Sequence, residues 1–235
     1  MLRTIEWLRR NDVAVVGMQE FEAPQRRVFQ AQATEFDLFP AGASRYKRHA
    51  NSIAWRSSAF ELVSGRFLTI PYFYGKPWPM PVVTLRNRMT GQEFDVMNVH
   101  NPASTRGTAA RWRAQAVRTE RRAVQRIVAR TGRPVFLTGD FNDPLADIDL
   151  GMRPAAGAVI DHIFTTPEVQ VHGRRVDQSV KGGFTDHPAV IARVGGLGAV
   201  QAPGPGVAGS MCGTGAAMDC PATPWPPIEA GLTPD

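Results

Sequence analysis

Apolar residues along the chain follow two periods, one near 3.6 and one near 2, and together they predict short helices alternating with short strands. Residues 2–10 read as an amphipathic helix, with Leu2, Ile5 and Leu8 or Arg9 spaced for one face, and Asn11-Asp12 breaks it. Residues 13–17 form a β-branched apolar run of the kind found in buried strands. Residues 24–36 read as a second helix, because Pro24 suits a first helical position. Residues 52–55 and 60–63 read as paired strands separated by Arg56-Ser57-Ser58, and residues 82–86 and 94–99 as two more around a turn at 87–92. The longest helix spans residues 108–130. Its apolar positions are Ala110, Ala114, Val117, Val124 and Val128, arginines fill the other faces, and Gly132 with Pro134 ends it. Strands at 135–138, 159–165 and 189–194 complete the pattern.

After residue 194 the periodicity stops. Residues 195–235 are rich in Gly, Pro and Ala with few charges, a composition that buries too little apolar surface to offset chain entropy. They read as a linker or tail, and the Trp225 and Pro-Pro-Ile-Glu segment resembles the approach to a further C-terminal module. The 235 residues as a whole suit one domain with a sizeable core. The net charge of +6, mostly from arginine, suits a polyanionic partner such as nucleic acid or an anionic lipid surface. No run approaches the roughly 18 apolar residues that span a bilayer. Residues 1–22 lack the order of a signal peptide, and the sequence carries no address of its own. Cys212 and Cys220 both lie in the tail, able to close a small loop in an oxidising compartment or to stay free in a reducing one.

Five clusters of acidic, amide or histidine residues each adjoin or interrupt an apolar run: Gln19-Glu20, Asn98 with His100, Asp140 with Asn142, Asp161-His162 and Asp186-His187. Each alone has an ordinary reading as a solvated strand end, a turn or a cap. Asp161 is the exception, since a carboxylate among Val, Ile and Phe is costly unless paired. Taken together the residue types suit phosphodiester chemistry. A hard Mg²⁺ ion takes carboxylate oxygens such as those of Glu20 and Asp186 and keeps water in its shell. An amide such as Asn142 can orient a nucleophile or a phosphate oxygen. A histidine held by a carboxylate can act as general base or stabilise phosphate charge.

The ordered series Gln19-Glu20, His100, Gly139-Asp140-Phe141-Asn142, Asp161-His162-Ile163 and Thr185-Asp186-His187 resembles the endonuclease/exonuclease/phosphatase superfamily. That family includes pancreatic-type deoxyribonuclease, exonuclease III-type repair endonucleases, inositol polyphosphate 5-phosphatases and neutral sphingomyelinases. The resemblance covers residues 1 to about 194. It implies an α/β fold, a four-layered sandwich of two mixed β-sheets packed face to face with helices outside. It implies Glu20 as metal ligand and Asp186 as a second acid near the metal, with Mg²⁺, or Mn²⁺ in its place, as cofactor. Asp140 would align or activate water, Asn142 would hold that water or the phosphate, and His187 would contact the phosphate, polarised by Asp161. His100 would contact the phosphate or protonate the leaving group, and Asn51, at the start of NSIAW, would touch substrate.

The implied activity is a metal-dependent phosphodiesterase acting on nucleic acid, as a monomer. Alternatives are a lipid or inositol phosphate phosphoesterase of the same family, or a catalytically impaired binding module. Two departures stand out. Family members begin with a strand ending in asparagine, whereas this sequence starts at the first helix, which implies an N-terminally truncated domain over 1–194 and leaves room for an upstream export signal. The deoxyribonuclease-like branch supports the equivalent of His100 with a carboxylate, and the sequence offers only His49 there. His172, in VHGRR, reads as part of a surface turn.

Overall fold

The structure, a computed structural model, describes residues 1–41, 50–144, 150–183 and 185–195. All of these belong to one compact unit, Met1–Gln201. His49, Cys212, Cys220 and the tail beyond Gly195 lie outside the described residues.

Three helices and eleven strands are described, in the order α1 (Leu2–Arg10), β1 (Val15–Met18), α2 (Ala23–Gln32), β2 (Phe36–Phe39), β3 (Ser52–Arg56), β4 (Phe60–Pro71), β5 (Pro77–Asn87), β6 (Glu93–His100), α3 (Ala110–Thr131), β7 (Val135–Asp140), β8 (Arg153–Ala158), β9 (Asp161–Thr165), β10 (Gln170–Asp177) and β11 (Ala189–Gly195). Six strands form a mixed sheet in the order β4-β5-β6-β7-β9-β8, in which only β6 and β7 are parallel. β1-β3-β2 form a three-stranded antiparallel sheet, and β10-β11 a two-stranded one.

Strand alternation explains the layering, because successive side chains point to opposite faces. On the large sheet, Met80, Val82, Met97, Val99, Val135 and Leu137 enter one core together with Ala116, Val124 and Ile127 of α3. Their neighbours Val83, Leu85, Phe94 and Val96 enter a second core, shared with Ile53 and Trp55 of β3. Ala54, between those two, turns to a third core with Ile5, Trp7 and Leu8 of α1 and Phe29 of α2. The layers are therefore α1 and α2, then the three-stranded sheet, then the six-stranded sheet, then α3. β10 and β11 pack over β8 and β9, with Ala189 and Ile191 reaching the third core. This is the expected four-layered sandwich, except that its second layer consists of two separate antiparallel sheets.

One buried polar residue of β6 ties two layers together, and a second braces the large sheet itself. Asn98 is fully buried on β6 and donates to Met18 O at 2.9 Å and Ser52 O at 3.0 Å, which ties the ends of β1 and β3 to the large sheet. Asp95, also fully buried on β6, accepts from Thr84 Oγ1 at 2.9 Å and pairs with Arg66 at 2.8 Å and Arg133 at 2.7 Å. A buried carboxylate is tolerated when its oxygens are met in this way.

Several sequence expectations need correction. The second helix ends at Gln32, and Phe36–Phe39 is a strand. β3 does not pair with β4: it lies between β1 and β2, while β4 pairs with β5. The three residues separating β3 and β4 carry the chain from one layer to the next instead of forming a hairpin. His172 lies within strand β10. On α3 the buried positions are Ala116, Glu120, Ala123, Val124 and Ile127, whereas Ala110 and Ala114 are exposed and Val128 is 37% exposed. Val124 is buried and Val117 packs against the same core as expected, but the buried face also carries Glu120, which an apolar count passes over.

Candidate active site

Register brings three of the predicted residues into one row. His100, the last residue of β6, is the parallel partner of Asp140 at the end of β7. Asp140 is in turn the antiparallel partner of Asp161, the first residue of β9. Directly paired residues project to the same face of a sheet, so these side chains converge without any loop having to bring them together. The turn before β11 adds His187, whose Nδ1 lies 3.0 and 2.9 Å from the two oxygens of Asp161.

Asp140 sits between the two histidines, 3.8 Å from His100 Nε2 and 4.0 Å from His187 Nδ1. Its other oxygen accepts the backbone N–H of Asn142 at 2.7 Å. Asn142 has a φ of 51°, within the left-handed region that asparagine tolerates, and its side chain donates to Asn101 O at 2.8 Å. The Gly-Asp-Phe-Asn turn is thus pinned at both ends. Gly139 has a φ of 154°, and a Cβ there would stand 2.0 Å from Val99 O on the neighbouring strand. Only glycine lets β7 lie this close to β6 at the point where Asp140 emerges.

The electrostatics follow from burial and mutual charge. Burial raises the pKa of Asp140, opposed by the Asn142 N–H and by His100 and reinforced by Asp161. Burial likewise raises Asp161, opposed by His187. Burial lowers His100, and Asp140 resists that less than fully. For His187 burial also pulls down, but the charges of Asp161, Asp140 and Asp186, with the Asp161 hydrogen bond, outweigh it and the net shift is upward. The two histidines are therefore driven apart, His100 toward neutral imidazole and His187 toward imidazolium. Such divergence suits one group to accept a proton and the other to donate one. With Nδ1 engaged by Asp161, the Nε2 of His187 is left to meet a substrate.

Ligand atoms of Asp140, Asp161 and His187 lie within 4.8 Å of one another. Hard carboxylate oxygens in a partly open site fit a divalent cation that keeps part of its water shell. Glu20 and Asp186 are exposed and lie outside that three-residue cluster. Glu20 follows β1 with a φ of 51°, and its charge acts with that of Asp140 on Tyr72; Asp186 acts on Asp161 and His187. Gln19 donates to Asn98 Oδ1, which fixes the end of β1. Asn51 is buried, with its amide nitrogen 3.1 Å from Met80 Sδ. His162 turns to the opposite face from Asp161 and packs between Phe141 and Phe164.

Sequence reading missed Tyr72, whose ring packs edge-on against His100 at 5.7 Å. The run Pro-Tyr-Phe-Tyr-Gly-Lys-Pro-Trp, crowded with aromatics yet lacking strand alternation, was the available signal.

The family model described as the Endonuclease/Exonuclease/phosphatase family matches residues 1–187. The chain belongs to this family. Its fold is similar to that of an endonuclease/exonuclease/phosphatase from Bacteroides vulgatus, with TM-score 0.66 and 18% identity over 82% of this chain and 88% of that one. It is equally similar to the mannosyl-6-phosphatase Bt3783 of Bacteroides thetaiotaomicron, with TM-score 0.66 and 17% identity over 82% and 89%. A structure of D. rerio TDP2 complexed with single strand DNA product matches with TM-score 0.64 and 14% identity over 83% and 90%. At these identities the likeness is one of fold. No curated protein matches the sequence. The family assignment makes this a member of a group of phosphoester hydrolases, and no helix among the described residues is long and apolar enough to cross a membrane.

Proposed function

We propose that the chain is a divalent-metal-dependent phosphodiesterase acting on nucleic acid, using Mg²⁺ or, in its place, Mn²⁺. The observation that carries this reading is the contact of His187 with both oxygens of Asp161, beside Asp140 in the same row. Glu20 and Asp186, with the carboxylates of the row, would hold the cation, which when bound offsets negative charge on the phosphate and the leaving oxygen. Asp140 aligns the attacking water, and Asn142 keeps Asp140 in place through its own N–H. His187, oriented by Asp161, hydrogen-bonds a phosphate oxygen through Nε2, and the upward shift of its pKa favours the donating form. His100, buried and nearest Asp140, completes the phosphate-facing side.

The net charge of +6 supports a polyanionic substrate, and the fold shared with a protein seen bound to a single strand DNA product is consistent with it. The fold shared with a mannosyl-6-phosphatase supports a second reading, a phosphomonoesterase for small sugar phosphates. Incubation with supercoiled plasmid and Mg²⁺ or Mn²⁺, beside Asp140→Ala and His187→Ala, tests the first. Metal-dependent nicking lost in both variants is the expected result. Intact plasmid together with phosphate release from a sugar phosphate would replace it with the second.

A further inference from the structure

The tip of the β4–β5 hairpin carries aromatic residues beside the catalytic row that the chemistry above does not use. Tyr72 provides the link. It packs against His100, stacks on Trp78 at 5.7 Å and lies 4.4 Å from the ring of Phe73. Burial, with the charges of Glu20 and Asp140, pushes its phenol up to about 12, and Arg106 opposes them. The guanidinium of Arg106 sits 4.9 Å over the Phe73 ring. A continuous line of contacts therefore runs from His100 through Tyr72 and Phe73 to Arg106.

Beyond Arg106 lies a cavity of about 170 Å³. Phe73 and Tyr74 of the hairpin tip form one wall, and Trp112 and Arg111 of the first turn of α3 form another, with Arg111 4.1 Å over the Trp112 ring. Arg106, Gly107, Thr108 and Ala109 close the remainder. Tyr74 is 68% exposed and has a φ of 57°, an unfavourable backbone for a bulky residue. The adjacent Gly75 is seated so closely on α3 that a Cβ would stand 2.5 Å from the Trp112 ring. The tip is thus docked in place with an aromatic ring held out toward solvent, the sort of local strain that collects at binding sites.

The lining chemistry narrows the ligand. Among the described residues it offers three aromatic rings and two arginines, and no carboxylate or amide of the kind that reads sugar hydroxyls. Its volume is below the 300–1,000 Å³ typical of small-molecule pockets and suits a single flat ring. Rings that stack bases beside cations that track phosphates are the parts of a single-strand binding platform. We propose that this cavity is a nucleotide subsite, in which an unpaired base stacks on Tyr74 and Trp112 while its phosphate meets Arg106 and Arg111, so that the adjoining phosphodiester is presented to Asp140 and His187. The proposal rests on the phosphodiesterase reading of that site and names its substrate as single-stranded.

The test uses the whole chain with Tyr74→Gly, which removes the ring at a backbone conformation glycine adopts freely, and Arg106→Ala. A thymidine oligonucleotide is titrated by fluorescence anisotropy. Turnover of that oligonucleotide is also compared with turnover of methyl p-nitrophenyl phosphate, which has no base. Each variant is expected to weaken oligonucleotide binding about 5- to 100-fold and to lower the ratio of the two kcat/KM values by a similar factor. Met89→Ala, at a residue 94% exposed and outside the cavity, should change neither quantity. Equal affinity of both variants and the wild type for the oligonucleotide would overturn the subsite. A chain that binds the oligonucleotide through these residues yet hydrolyses neither ester would instead overturn the phosphodiesterase reading.

Discussion

Asp140 and Asp161 are register partners on antiparallel β7 and β9, so two carboxylates project from the same face of one sheet at one level. His100 extends the same row on the parallel side of β7. The large sheet thus sets the spacing of the site, and the turn before β11 supplies only its fourth member, His187. A site built on paired strands holds its geometry more firmly than one assembled from loops.

That arrangement makes the Asp161–His187 pair separable from the rest. Asp161→Asn keeps the volume and the strand but replaces the anion that orients the imidazole. We expect kcat for phosphodiester cleavage to fall by about 10²–10⁴, with the far-ultraviolet circular dichroism unchanged. Cleavage within a few-fold of wild type would mean that Asp161 serves only to satisfy the buried end of β9.

The backbone contribution rests on Gly139. Alanine there would need both a φ of 154° and a Cβ 2.0 Å from Val99 O, so β6 and β7 would have to part at the level of His100 and Asp140. We expect Gly139→Ala to cost at least about 3 kcal/mol, with a fall in melting temperature of roughly 6–12 °C for a domain of this size. Activity should fall further than stability, because displacement by a fraction of an ångström at the row misaligns Asp140. Calorimetry beside a plasmid assay at 20 °C separates the two effects. A variant melting with the wild type would show that the strands can yield at this point.

Much of this was legible in the sequence because local signals and function coincided. The catalytic candidates lie at a strand end, as His100, Asp140 and Asp161 do, or within two residues of one, as Asn142 and His187 do, and Gly139-Asp140-Phe141-Asn142 carries its turn chemistry in its own residues. What was not legible depends on partners distant in the chain. The partner of β3 is decided by which sheet its alternate face must cover, and Ser52–Arg56 shows apolar residues on both faces. β8 and β10, with Ala-Ala-Gly-Ala and His-Gly-Arg-Arg, have little strand character and exist because β9 and β11 offer them an edge. Tyr72 escaped notice because its role is to stand next to His100, a relation that only the packing of the hairpin tip creates.

The buried face of α3 leads to a pH prediction. Glu120 is completely buried on that face, opposite Asn101, and neither carboxyl oxygen has a hydrogen bond of ordinary geometry. Burial raises its pKa from 4.5 to about 8, against a smaller opposing pull from Asn101. Below pH 4.5 the folded and unfolded chains both hold the proton, and the full stabilising contribution is present. Between pH 4.5 and 8 the unfolded chain releases the proton while the folded chain retains it, so stability declines across this window and levels off above it. Glu120→Gln keeps the shape and cannot ionise. Its stability relative to wild type should therefore be similar near pH 4 and higher by on the order of 4 kcal/mol at pH 8. Urea denaturation of both proteins at intervals from pH 4 to 9 reads the difference directly, and contributions from the histidines cancel between the two. Because Asn101 N–H donates to Asp140 O and Asn101 O accepts from Asn142, the same proton also bears on the floor of the active site. Difference curves that stay flat from pH 4 to 9 would show that water or a rearranged Asn101 already solvates the carboxylate.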